Sequence, residues 1–247
     1  NLMTLFFLVL TPLITCSPYS NWKIQNDTDF ILRPTEEIPV ITLNTTNSLL
    51  LKGEVNHESV NKFLVDLHRL ENKQNIYLFL DTNGGSVEAG NRIVSEVLLY
   101  GISCIADRAY SMGFVILQAC KKRYITPFAR IMQHQISYSV DGEKAKIENH
   151  VEFIKQMEET LAVMQSNKIG ISLDDFRRKT YNDWWMFGEY AIREKCADQV
   201  VNVRCSPELL RNKYTITDFR LDYTYSACPL IPGPLDVKLS KHLFDEI

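Results

Sequence analysis

The segment that most constrains this chain is Ile76-Tyr77-Leu78-Phe79-Leu80, five apolar residues that run straight into Asp81-Thr82-Asn83-Gly84-Gly85-Ser86. A short apolar run without polar alternation suits a strand covered on both faces, the kind found inside a parallel sheet. The paired glycines predict a tight turn, and Val87 to Tyr100 follows with helical spacing. The same succession comes next: Ser103-Cys104-Ile105-Ala106 as a strand, Tyr110-Ser111-Met112-Gly113 as a turn, and Phe114 to Cys120 as an apolar helix. Tyr124-Ile125 and Arg130-Ile131-Met132 read as two short strands. Upstream, Val40-Ile41-Thr42-Leu43 and Ser48 to Gly53 read as strands, and His57 to Leu70 as a helix capped by Asn56. This alternation predicts an α/β fold with right-handed crossovers.

Beyond it, Glu143 to Lys168 predicts a long helix with Ile147, Val151, Ile154, Met157, Leu161 and Met164 on one stripe. Two roles suit that stripe equally: an interaction arm, or a cover for the sheet. Leu173 to Lys179 and Gly188 to Lys195 read as helices, and Gln199 to Val203 as a strand. Residues 206–247, with Pro207, Pro229, Pro232 and Pro234, read as an extended, poorly structured tail. Residues 19–39 read as an irregular arm, which leaves one globular domain over 40–205.

Residues 1–18 are different. Leu2 to Ile14 is an uncharged apolar run of signal-peptide length. It is short for a membrane-spanning helix. This predicts the secretory pathway or another extracytoplasmic setting, with a cytoplasmic or organellar location as the alternative. The sequons at Asn26 and Asn44 fit secretion. A formal net charge of -3 and the lack of any basic run give no basis for nucleic-acid binding. The six cysteines contain no CxxC pair, hence no metal signal, and nothing implies a cofactor. Cys104 and Cys120 lie in apolar stretches and read as unpaired core residues, while Cys205 and Cys228 flank a tail segment and could pair.

Several residues have the chemistry of a nucleophilic site. Ser111 stands where a strand gives way to a helix, whose free N–H groups can steady a developing oxyanion. The plain alternative is a helix cap. Gly84-Gly85 lets two backbone segments approach a ligand closely. No phosphate-binding motif completes it; a carbonyl-oxygen pocket with the Gly85 and Met112 N–H groups as donors is the better functional reading, and an ordinary αL turn is the plain alternative. Among five histidines, His134 is the one at the end of a core strand, where a structural histidine is the plain alternative to a base. Asp183, between Asn182 and the Trp184-Trp185 pair, is expected to be partly desolvated and to need a partner such as a histidine N–H, with a cap for the following segment as the plain alternative.

Together these segments resemble the proteolytic subunit of the Clp protease family, within the crotonase-like superfamily. The resemblance runs from about Leu43 to about Val203. It is carried by Ile76 to Val87 with Ala89-Gly90, by Ala109-Tyr110-Ser111-Met112-Gly113, by Arg130-Ile131-Met132-Gln133-His134-Gln135, and by Thr180 to Met186 with Glu189-Tyr190-Ala191. It implies a spiral of ββα units with a projecting handle helix, here 143–168. It implies a serine endopeptidase with Ser111 as nucleophile, His134 as base, Asp183 as its orienting acid, and Gly85 and Met112 as oxyanion donors. It implies peptide or unfolded-protein substrates, homo-oligomeric assembly in a heptameric ring or double ring, and an ATPase partner if the chain works in the cytosol or an organelle. Tyr110 departs from the small residue usual before the serine, and its ring could fill the pocket. The alternatives are an inactive ring subunit, a membrane-side signal-peptide-peptidase relative with a Ser-Lys pair, or an acyl-CoA hydratase or isomerase on the same fold.

Overall fold

A computed structural model describes residues 38–218 and 220–240. The apolar segment 1–18, most of the arm at 19–39 and the Asn26 sequon lie outside the described residues. The elements in chain order are β1 (Val40–Leu43), β2 (Ser48–Val55), α1 (His57–Arg69), β3 (Tyr77–Gly85), α2 (Val87–Tyr100), β4 (Ser103–Tyr110), α3 (Met112–Ala119) and β5 (Arg123–Gln133). There follow α4 (Lys144–Ile169), α5 (Leu173–Thr180), β6 (Trp184–Phe187), α6 (Tyr190–Arg193), β7 (Gln199–Val200) and β8 (Asn202–Cys205). The last are α7 (Pro207–Arg211), β9 (Lys213–Asp218), β10 (Leu221–Ser226) and β11 (Asp236–Leu239).

Strands β2, β3, β4 and β5 lie parallel in that order. β6 closes the edge antiparallel to the end of β5, and β7 pairs with its beginning. β1 and β8 form a separate parallel pair. The period-two alternation of a strand divides the core. Leu78 and Leu80 of β3, with Cys104 and Ala106 of β4, join the helix-side core with Phe63, Ile93 and Phe114. Phe79 and Ile105 between them face the other way, into a second cluster with Leu43, Val201, Leu209 and Cys228. An unbroken apolar run is required because both faces are covered.

Local signals account for the boundaries. Asn56 Oδ1 accepts the Ser59 N–H at 3.0 Å while Ser59 Oγ accepts the Asn56 N–H at 3.0 Å, a reciprocal cap that starts α1. The two strands expected at Tyr124 and Arg130 are two halves of β5. Between the pairs Ala106↔Ile125 and Arg108↔Arg130, residues 126–129 stay out of the ladder, and Pro127 falls among them. The turn expected at Asp81 to Ser86 is instead strand as far as Gly85, since Gly84 and Gly85 pair with Glu54 and Val55, and Ser86 caps α2.

The segment after residue 206 is not an extended tail. α7 packs beside an antiparallel sheet in the order β11-β10-β9. The prolines fall outside its strands: Pro207 starts α7, and Pro229, Pro232 and Pro234 lie between β10 and β11. Cys205 and Cys228 are disulfide-bonded and tie this segment to β8. Cys104 and Cys120, expected as separate core residues, are also bridged, across a Cα separation of 5.8 Å. Cys104, near the start of β4, faces the helix side and Cys120 caps the end of α3, so the fold brings together two thiols that lie apart in sequence. Among the described residues, Cys196 is left as a buried free thiol. Burial foremost, with the Glu194 charge adding to it, pushes that thiol up to about 12 against the pull of Arg123. Cys196 is therefore expected to resist alkylation by iodoacetamide at pH 8 until the protein is unfolded, as read by peptide mass.

One ion pair staples β5 to the turn before β7. The Arg123 guanidinium, 7% exposed, donates to Asp198 Oδ1 from Nη2 at 2.6 Å and to Gln118 Oε1 from Nη1 at 2.7 Å. The Arg123 N–H donates to Asp198 Oδ2 at 2.7 Å. Burial opposes ionisation of Asp198, but the Arg123 hydrogen bonds and charge outweigh it and hold the carboxyl below its usual range. A depressed acid stabilises the fold above its unfolded value, and this is lost as pH falls through the folded one. The structure is therefore expected to lose this contribution below about pH 4, and Arg123→Met to cost about 3 kcal/mol at pH 7. Denaturant titrations of the two proteins at pH 7 and pH 3 check both.

Candidate active site

Ser111 occupies the single residue between β4 and α3, at φ 52° and ψ -116°. Positive φ is costly for a residue with a Cβ, of the order of 1–3 kcal/mol, and persists only where the surroundings fix it. Three contacts do so here. The Ser111 N–H donates to the Met132 carbonyl of β5 at 2.9 Å, and the Ser111 carbonyl accepts from Phe114 and Val115 at 3.0 and 3.2 Å. The hydroxyl makes no capping bond, so the helix-cap reading fails and Oγ is uncommitted.

The glycines explain why the turn can be this tight. A Cβ on Gly84 would lie 2.5 Å from the Tyr110 carbonyl oxygen and 2.7 Å from Ser111 Cβ. A Cβ on Gly113 would lie 2.6 Å from Thr82 Cγ2. The end of β3 thus presses directly beneath the Ser111 turn. Gly84 also has φ +86°, so Gly84→Ala meets both a backbone clash and a disfavoured conformation. This variant is expected to lose about 3 kcal/mol or more of stability, checked by chemical denaturation.

Beside Ser111 lies a pocket of about 180 Å³. Gly85, Met112 and His134 line it, and Val115, Leu161 and Phe176 give it apolar walls. Sequence reasoning missed those walls, which come from α3, α4 and α5. Tyr110 is not part of the lining: its ring packs edge-on against Trp185, 5.0 Å between centroids. Strand alternation turns it away from the pocket.

His134 follows the last residue of β5 and is half-buried. The final rung between β5 and β6 joins Gln133 to Trp184, and His134 and Asp183 are the residues just outside it on the two strands. Gln135 Nε2 donates to the Tyr181 carbonyl at 2.7 Å and holds the two segments together beyond the ladder. Asp183 is exposed, contrary to the desolvation expected from its tryptophan neighbours. Trp184 turns in toward Phe114 and Phe176, while Trp185 reaches Tyr110, and neither covers the carboxylate. The isolated chain therefore gathers Ser111, Met112, Gly85 and His134 at one pocket, and Asp183, just beyond the last β5–β6 rung, is not part of that lining. No hydrogen bond joins Ser111, His134 and Asp183 among the described residues. Nor do three His, Cys, Asp or Glu side chains among those residues gather closely enough to hold a metal ion.

The profile of the Clp protease family matches residues 37–204. The chain belongs to the Clp protease family. Family membership places it among peptidases, and the mixed α/β fold agrees with the crotonase-like architecture that the resemblance implied. The chain is 30% identical over 162 residues to the ATP-dependent Clp protease proteolytic subunit 1 of Leifsonia xyli subsp. xyli (strain CTCB07), covering 61% of this chain and 80% of that one. It is 27% identical over 171 residues to the ATP-dependent Clp protease proteolytic subunit 2 of Bifidobacterium longum (strain NCC 2705), covering 64% of this chain and 79% of that one. The family match ends one residue before Cys205, so α7 and β9 to β11 lie outside it.

Proposed function

We propose that this member of the Clp protease family is a serine endopeptidase acting on peptides or unfolded chains. One observation carries the reading: Ser111 is held in a strained, positive-φ turn with an uncommitted hydroxyl, in a pocket that Gly85, Met112 and His134 also line. His134 removes the Ser111 proton as Oγ attacks the scissile carbonyl, and the Gly85 and Met112 N–H groups receive the oxyanion. His134 then protonates the leaving amine, and the acyl group stays on Oγ. Water, deprotonated by His134, releases the acid and restores the serine. Asp183 orients the imidazole and steadies its charged form. The hydrogen bonds this requires are not made in the isolated chain. Catalytic contacts are commonly loose without substrate and tighten in the complex.

Homo-oligomeric ring assembly belongs to the same proposal. It is supported by α4, whose second half is buried at Leu161, Ala162 and Ile169 while its first half leaves Phe153 59% exposed. A Ser-Lys mechanism is less suited, because no lysine lines the pocket. The pair of disulfides supports an oxidising, extracytoplasmic setting, and the Asn44 sequon lies on the turn between β1 and β2. In such a setting the enzyme would work without an ATPase partner. Purified protein is expected to hydrolyse a fluorogenic peptide and to lose that activity on treatment with a fluorophosphonate. A well-assembled sample that leaves such peptides intact would favour the inactive-subunit reading.

A further inference from the structure

His134 stands where the sheet stops holding the chain. The β4–β5 ladder ends at Tyr110↔Met132 and the β5–β6 ladder at Gln133↔Trp184. Residues 134–140 form no regular structure. The main-chain N–H of His134 must therefore find a partner outside the ladders. It donates to the side-chain Oε1 of Gln133 at 3.1 Å. Gln133 is itself pinned, since its Nε2 donates to Gln165 Oε1 at 2.5 Å. Gln165 is in turn fixed to α4, where its Nε2 donates to the Leu161 carbonyl at 2.9 Å.

Both amides are nearly inaccessible, with Gln133 4% and Gln165 3% exposed. Both border the Ser111 pocket. A buried amide pair has a desolvation cost that two apolar side chains of similar size would avoid. Gln165 also puts a polar side chain on the buried face of α4, one turn after Leu161. General core packing does not call for this arrangement.

We propose that Gln165 and Gln133 are positioning residues that set His134 for proton transfer to and from Ser111. α4 fixes the Gln165 amide, Gln165 fixes the Gln133 rotamer, and Gln133 fixes the main chain of His134. Neither glutamine takes part in a chemical step. The inference rests on the serine-peptidase reading and specifies what holds its base in place. Catalytic rates are steep in the placement of a base, so even a shift of a fraction of an ångström is felt in turnover.

The test uses the full chain in its assembled state, with Gln165→Met, Gln133→Met and the double variant. Thermal melts and size-exclusion profiles establish the folded, assembled fraction, and all rates are expressed per folded molecule. Each single variant is expected to lower kcat on a fluorogenic peptide by about tenfold, with KM within about twofold of the parent. Fluorophosphonate labelling of Ser111 should slow by a similar factor. The double variant should be no slower than the slower single variant, because each replacement breaks the same chain of bonds. A folded Gln165→Met protein with parental kcat and labelling rate would overturn the proposal, as would effects that multiply in the double variant. Ser111→Ala separates the two layers. If it is inactive while Gln165→Met is fully active, the relay alone is wrong. If it retains parental activity, the peptidase reading falls and the relay falls with it.

Discussion

Ser111→Ala is expected to lower kcat for peptide hydrolysis by about 10⁴-fold or more, with the fold and the assembly unchanged. His134→Ala should have a loss of similar size, and the double variant should be no worse than the worse single one. A nucleophile and its base act as a unit, so removing either removes the step they share. The geometry makes the serine variant a clean test. Ser111 Oγ makes no capping bond to α3, so alanine deletes no structural hydrogen bond there. The strained backbone stays the same, since alanine carries the same Cβ. Whatever hydrolysis remains measures the contribution of the Gly85 and Met112 donors and of substrate binding. Steady-state kinetics on a fluorogenic peptide, with circular dichroism on the same samples, checks the result.

The second large effect is expected at the other face of the sheet. Replacing both Cys205 and Cys228 with serine should destabilise the protein by about 3 kcal/mol, the chain-entropy value for a loop of this length, the two cysteines being 23 residues apart. The loss should be local in character. Leu209 and Cys228 pack with Leu43, Phe79, Ile105 and Val201, with Ala227 and Ile231 against them. That cluster covers a sheet face that would otherwise meet water. Without the bridge, α7 and β9 to β11 should open first, before the parallel sheet. Limited proteolysis is expected to cut between residues 206 and 240 in the variant while the parent resists. Dyes that bind apolar surface should respond earlier on heating. Equal resistance of the two proteins would show that packing alone holds the segment.

The sequence and the structure part company at places with identifiable physics. The apolar run Ile76 to Leu80 revealed a doubly covered strand because every position in it is apolar, and both faces are indeed buried. Ser111 and the glycines were legible as a sharp strand-to-helix junction. Their mutual support was not, because the approach of Gly84 to the Tyr110 carbonyl joins residues distant in sequence. The segment after residue 206 departs from its sequence pattern for a related reason. Its prolines suggested irregular chain, yet they fall between strands, while Lys213 to Asp218 and Leu221 to Ser226 pair with each other. Of those strands Lys213 to Asp218 is mostly exposed and Leu221 to Ser226 half-buried, and they carry Tyr and Thr in place of an apolar alternation. What fixes them is tertiary, namely the stacked rings of Tyr214 and Tyr225 and the disulfide at Cys228. The exposure of Asp183 could not be read from its two tryptophan neighbours, because a strand sends adjacent side chains to opposite faces. Gln165 carried at most a weak sign, a polar residue on the buried face of α4, and Gln133, the last residue of β5, carried none.

A peptide boronate offers the most direct measurement, through a crystal structure of its adduct with the assembled protein. Boron should be found bonded to Ser111 Oγ, with one of its oxygens facing the Gly85 and Met112 amides. The His134 imidazole should bridge Oγ and the Asp183 carboxylate at hydrogen-bond distances of about 2.6–3.2 Å. An adduct on another residue would contradict the assignment, and so would His134 and Asp183 remaining apart with the inhibitor in place.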